Sequence, residues 1–270
     1  CRITDHLRAR TEYDLRCIEC GERGITNLAA RGIQPQPLAE ATRDADVVVF
    51  AVPDRALGQL AHEVVPRMKP ASLVILLDPA AAHAGELPGR ADIGYFLAHP
   101  CHPGVFQHQP DAETRADFFG GTRAGMPIVC ALMQGSEADY QRGERLARVF
   151  YAPVTRAHRL TVGQMALLEP AMAETVGACC ATVLREAMDE AIGRGVPAEA
   201  ARDFMLGHIN IALAIAFGET RSTFSDGAKL IIDYGRRRLL RPDWKCVFEP
   251  AQVTDQVRAI VRGQAPNPAD

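Results

Sequence analysis

The run His99-Pro-Cys-His-Pro103 sets two imidazoles three residues apart on a backbone stiffened by two prolines. Imidazole titrates near neutral pH, so His99 or His102 could take the proton of a hydroxyl that becomes a carbonyl, or bind a divalent metal. Glu169 is the second candidate, in Gln164-Met-Ala-Leu-Leu-Glu-Pro170. On a helix advancing about 100° per residue, it falls among Val162, Met165, Met172, Val176, Cys180 and Val183. Burying a carboxylate alone on such a stripe costs on the order of several kcal/mol, so it must be paired, protonated or metal-bound. Pro170 cannot donate to the Ala166 carbonyl, which predicts a kink at that point. Glu174 points to the opposite face and is a secondary candidate.

The remaining candidates end predicted strands, where open α/β sheets bind their ligands. Glu19 closes the predicted strand Tyr13–Glu19, the position from which a carboxylate accepts hydrogen bonds from an adenosine ribose. A carboxylate there repels a 2′-phosphate, which favours NAD over NADP. Val52, Pro53 and Asp54 follow the buried run Asp46–Val52 and should line the cofactor groove, with Asp54 also suited to cap the next helix. Asp78, before Pro79, reads as a turn residue. Polar groups at His208, Asn210, Glu219 and Lys229 read as helix–helix hydrogen bonds or surface positions.

These residues need a scaffold, and the first half supplies one by alternating short β-branched runs with amphipathic stretches. Strands are predicted at 13–19, 46–52, 72–77, 95–98 and 127–133, and helices at 1–8, 25–31 and 57–68, giving a doubly wound parallel sheet. A dinucleotide-binding fold would place a further strand and a G-x-G-x-x-G turn ahead of Cys1. Gly21 and Gly24 follow the Tyr13–Glu19 strand and cannot serve as that turn. From Leu160 onward long helical patterns take over. Thr161 and Gln164 have capping-box spacing, opening a helix that runs to about Gly193 or Gly195. Further helices are predicted over 198–218 and after Ser225-Asp-Gly227, and the tail Gly263–Asp270 reads as frayed.

The expected organisation is a Rossmann-like NAD-binding domain over 1–155 and an all-helical substrate-binding and dimerisation domain over 156–270. Three long helices with apolar faces have little partner surface within one subunit, which predicts a homodimer.

Composition closes off other classes. The 270 residues are 47% hydrophobic, enough for a sizeable core, and 30 basic against 33 acidic residues leave no field to hold nucleic acid. Eight scattered cysteines fit a reducing cytoplasm and read as buried thiols; Cys17-x-x-Cys20 lacks the second pair of a zinc ribbon. No signal peptide is visible, and apolar runs such as Val47–Val52 are far short of a membrane span.

Taken together, Glu19, Ala51-Val-Pro-Asp54, Leu77-Asp-Pro79, His99-Pro-Cys-His-Pro103 and Gln164–Pro170 give a chain that resembles the D-apionate oxidoisomerase family. That family is related to 6-phosphogluconate dehydrogenases and ketol-acid reductoisomerases. The resemblance implies an NAD enzyme that oxidises a branched sugar acid and then shifts a carbon substituent, converting D-apionate to 3-oxo-isoapionate. His99 or His102 would serve as the base, with Glu169 and His99 holding a divalent cation for the rearrangement. One departure is Gly163, where a glutamate is expected before Gln164. The alternatives are a plain 3-hydroxyacid or phosphogluconate-type dehydrogenase and an inactive binding protein without the phosphate loop. The first normally uses a lysine on its long helix, and no lysine occurs between 69 and 229.

Overall fold

The computed structural model describes residues 2–265. Its chain divides into two compact units, residues 1–166 together with 254–270, and residues 167–253. The first unit is built on a five-stranded sheet in sequence order: β1 Val47–Phe50, β2 Leu73–Leu76, β3 Gly94–Pro100, β4 Met126–Gln134 and β5 Val154–Leu160. β1, β2 and β3 run parallel, β4 is antiparallel to β3, and β5 is parallel to β4. β2 is buried along its whole length, as a central strand covered on both faces must be. Leu73, Ile75, Phe96, Met126, Ile128 and Phe150 form one core cluster, and a fully buried side chain of that size contributes about 1.5–3 kcal/mol. Helix Glu137–Phe150 crosses this core, and its Gly143 lies so close to Phe96 that a Cβ would meet the ring at 2.4 Å.

Three expectations for this unit change. The expected strand Tyr13–Glu19 does not form: no regular element is present over 13–20, and β1 pairs only with β2. Tyr13 and Leu15 still pack on the core, and the Cys17 carbonyl accepts from Gln36 N–H at 2.8 Å. The helix Glu137–Phe150 and the strand β5 were not among the expected elements, although Ser136 and Asp139 form a full capping box. β5 was hidden because its burial pattern is mostly exposed, with arginines at 156 and 159 breaking the apolar run. The sheet therefore extends past residue 155, and residues 254–262 of helix Pro250–Arg262 belong to the first unit. Of the predicted frayed tail, residues 266–270 lie outside the described residues.

The second unit is helical: the part of the long helix from Val162 that follows Ala166, then Ala198–Ala216 and Asp226–Leu239. Ser225 caps the last of these by accepting from Ala228 N–H at 3.2 Å. The expected capping box opens the long helix, with Thr161 N–H donating to Gln164 Oε1 at 2.9 Å and Gln164 N–H to Thr161 Oγ1 at 3.2 Å. Gly163 is exposed and leaves that geometry intact. Leu167–Ala178 is wound as a π-helix, with Pro170 inside it, before α-winding resumes over Cys179–Gly193. A residue without an N–H breaks the i→i−4 ladder, and π-winding is one way to pass it. This winding defeats the 100° arithmetic, and the predicted apolar stripe is not a buried face: Met165 is buried, while Met172 and Val183 are exposed.

Apolar side chains elsewhere in the second unit face outward as well. Phe204, Phe217, Leu230, Ile231 and Leu239 are each 68–75% exposed. Val162–Gly193 is long and apolar enough, by length and composition, to cross a membrane, which the consecutive apolar runs did not suggest because Glu169 and Glu174 interrupt them. His208 is exposed, stacks on Phe204 at 3.8 Å and bonds the Phe204 carbonyl of its own helix, so it is no inter-helix link. Lys229 is exposed and paired with Asp226. Among the described residues all seven cysteines are free, but Cys20, Cys101, Cys179 and Cys180 are exposed rather than buried. Cys130 is the deeply buried thiol, and that burial pushes its pKa up to about 12.

Candidate active site and metal centre

Parallel pairing aligns Phe50 with Leu76 and Leu76 with Leu97 at the carboxyl edge of the sheet. Two residues beyond each of these stand Val52, Asp78 and His99, so one row of the register holds three of the strand ends. β3 continues to Pro100, which puts His99 inside the strand, opposite Val129, rather than in the loop after it. A strand backbone fixes a ligand or base more firmly than a loop does. His99 Nδ1 lies 2.7 Å from the Leu77 carbonyl. A carbonyl only accepts, so Nδ1 carries the proton and Nε2 is the nitrogen with a lone pair, the arrangement that orients metal-binding histidines.

Asp78 accepts from Ala80 N–H at 2.7 Å, which is its expected turn role. That bond also holds the carboxyl group at the sheet edge. The helical turn Ala80–His83 that follows packs against Val162–Ala166, whose Met165 and Ala166 are fully buried. Glu169 comes one turn further along the same continuous helix. Asp78, His99 and Glu169 each offer a donor atom, and the three atoms lie within 4.8 Å of one another. All three residues are half-buried. Two carboxylates and an imidazole are a donor set for a divalent cation, so the residues fit such a group. The Cys17–Cys20 pair takes no part in it.

Asp78 is the residue missed by sequence reasoning. A signal was present, because Asp78-Pro79 and His99-Pro100 repeat one pattern, a donor side chain followed by proline at the ends of neighbouring strands.

His102 stands apart from this group. Its Nδ1 lies 2.9 Å from the Phe119 carbonyl, and its ring makes edge contacts with His99 and Phe119. Its φ of 60° is in the left-handed region, unusual for a residue other than glycine and held only where surroundings over-determine it. Nδ1 is again the protonated nitrogen, which leaves Nε2 as a proton acceptor. Sequence reasoning left the two histidines interchangeable; their surroundings differ.

Of the predicted cofactor residues, Val52, Pro53 and Asp54 sit at the same edge of the sheet. Val52 and Pro53 follow β1, and Pro53 is the N-cap of helix Asp54–Val64. Asp54 is therefore the first helical residue and not the cap, and no side chain caps this helix. The fixed φ of proline suits the chain just before the first helical residue, and an acidic first turn suits the helix dipole. Glu19 is exposed at the start of helix Glu22–Ala29, where Oε1 accepts from Cys20 and Gly21 N–H, each at 2.8 Å. Its carboxylate lies over Gly24, where any Cβ would come within 1.9 Å of Oε2. Glu19 thus has a local structural role beside the one predicted for it.

Comparison with known proteins fixes the family. Residues 107–261 match the family model for the C-terminal part of decarboxylating phosphogluconate dehydrogenase. D-apionate oxidoisomerase of Cupriavidus necator is 45% identical over 252 residues, covering 93% of this chain and 91% of that protein. Its counterpart in Rhizobium rhizogenes is 44% identical over 260 residues, covering 96% and 94%. The chain belongs to the D-apionate oxidoisomerase family. Membership makes it an enzyme of the oxidoreductase and isomerase classes on a Rossmann-like, NAD-binding fold. A semialdehyde dehydrogenase NAD-binding protein from Cupriavidus necator, solved with calcium and NAD, superposes with a TM-score of 0.93 at 45% identity, covering 96% of this chain and 94% of that one. A ketol-acid reductoisomerase from an uncultured archaeon shares the fold at a TM-score of 0.68 and 14% identity, covering 97% and 78%.

Proposed function

We propose that this enzyme oxidises a branched sugar acid with NAD and then rearranges the resulting ketone, converting D-apionate to 3-oxo-isoapionate. The grouping of Asp78, His99 and Glu169 beside a differently anchored His102 carries the reading. Oxidation of a secondary alcohol removes a hydride from carbon and a proton from oxygen. His102 Nε2 takes that proton, and His99, Asp78 and Glu169 hold a divalent cation. The bound groups supply hydride acceptance, by NAD, and Lewis-acid polarisation of neighbouring carbonyl and hydroxyl oxygens, by the cation. The similar Cupriavidus necator structure, with its calcium and NAD, supports both cofactors. Incubation with D-apionate, NAD and a divalent cation should release NADH together with the isomerised product, followed by absorbance and by NMR of the sugar acid. NADH with an unrearranged ketone as the only product would reduce the reading to a simple dehydrogenase.

Glu19 accepts the ribose hydroxyls in this scheme, and Val52, Pro53 and Asp54 line the groove. Glu19→Ala should therefore narrow the preference for NAD over NADP, measured as the ratio of kcat/KM for the two. An unchanged ratio would leave Glu19 only its bonds to Cys20 and Gly21.

The enzyme acts as a cytoplasmic homodimer on this reading, formed through the second unit. Phe204, Leu230 and Ile231 are large apolar side chains that the second unit leaves exposed, and a large exposed apolar surface marks an interaction site. Light scattering at micromolar concentration should give twice the chain mass of 29.3 kDa. A monomer would count against it.

A further inference from the structure

The loop facing His102 holds it in a backbone conformation that it would not choose. Asp117 Oδ2 accepts three backbone N–H groups, from Thr122 at 3.0 Å, Arg123 at 2.8 Å and Ala124 at 3.1 Å. Gly120 N–H donates back to the Asp117 carbonyl at 3.0 Å, and Gly121 N–H to the Ala124 carbonyl at 3.1 Å. One carboxylate thus closes residues 117–124 into a fixed loop. Within it, Gly120 has φ 68° and lies against Pro103, where a Cβ would meet the ring at 2.9 Å and Met126 Sδ at 2.7 Å. That close approach brings the Phe119 carbonyl to the Nδ1 of the neighbouring His102. Arg2 and His6, on helix Arg2–Arg8, also bond this loop, at the carbonyls of Phe119, Gly120 and Gly121.

We propose that Asp117 is a positioning residue for His102: it shapes the 117–124 loop so that the Phe119 carbonyl takes the Nδ1 proton and Nε2 is left as the proton acceptor. Burial of Asp117 disfavours the charged carboxylate, yet the three N–H bonds outweigh that and hold its pKa below the ordinary value, in keeping with a group that stays ionised as an acceptor. The inference rests on the reading of His102 as base, and the two fail differently.

The test is 15N NMR of the histidine side chains in the whole enzyme, with the His102 signals assigned by their loss in His102→Ala, alongside steady-state kinetics. Wild-type His102 should show a protonated Nδ1 and an unprotonated Nε2. Asp117→Ala should mix the two tautomers and lower kcat for NADH formation at least ~10-fold, part of the ~10²–10⁴-fold that a positioned base supplies. KM for NAD should hold, and Asp117→Asn, which retains an acceptor oxygen, should restore most of the rate. A wild-type His102 protonated on Nε2 overturns the inference without any variant, which covers the case of Asp117→Ala failing to fold. So does Asp117→Ala with the wild-type tautomer and rate. Full turnover by His102→Ala would instead remove the base itself, whatever the spectrum of the Asp117 variants.

Discussion

Glu169→Gln should abolish formation of the isomerised product and the dependence on a divalent cation, while NAD affinity stays within about twofold of wild type. The amide has nearly the same shape but no charge, so the change removes one of the two carboxylates grouped with His99. Losing an outer partner of a metal ligand typically costs about 10–100-fold in metal affinity, and losing a ligand itself should cost at least ~100-fold. Titration of the cation by calorimetry and NMR of the product measure the two effects separately. Asp78→Asn should behave in the same way, since the amide oxygen can still accept from Ala80 N–H and keep the turn. Full turnover in Glu169→Gln, or an isomerised product formed unchanged in the presence of chelator, would leave Glu169 a structural carboxylate and the enzyme a simple dehydrogenase.

His102→Ala should lower kcat for NADH formation by ~10²–10⁴-fold, the range expected when a positioned general base is removed. Cation affinity should hold, because His102 is outside the group formed by Asp78, His99 and Glu169. His99→Ala should differ from it in that respect, weakening cation binding together with rate. The pair of variants, read by NADH release and by cation titration, decides between two histidines that neighbour each other at a ring separation of 6.4 Å. Equal loss of cation affinity in both would mean that the two imidazoles share one role.

Much of the candidate site could be read from residue types because each signal was local. Two imidazoles each followed by a proline, a glutamate before a proline in a helix and a carboxylate at the end of a predicted strand stand out without neighbours. Asp78 did not, because its bond to Ala80 N–H is also the commonest use of an aspartate before a turn. Its second use depends on β3 pairing in register beside β2 and on a helix eighty or more residues later packing on Ala80–His83. No local pattern encodes that meeting. The strand β5 escaped for a related reason, since an edge strand can be polar when its pairing partner supplies the order.

By itself, the sequence determined the class of fold and pointed to most of the candidate groups. Short β-branched runs alternating with helices bury themselves well only as a covered parallel sheet, and such a sheet gathers its strand ends at one edge. Tertiary structure decided what holds each histidine. His99 and His102 have the same side chain and nearly the same sequence surroundings, but the Leu77 carbonyl orients one toward two carboxylates and the Phe119 carbonyl fixes the other in a strained backbone. Those carbonyls belong to residues 22 and 17 positions away. The tautomer of an imidazole is set by whichever acceptor reaches it, and only the folded chain brings these acceptors into place.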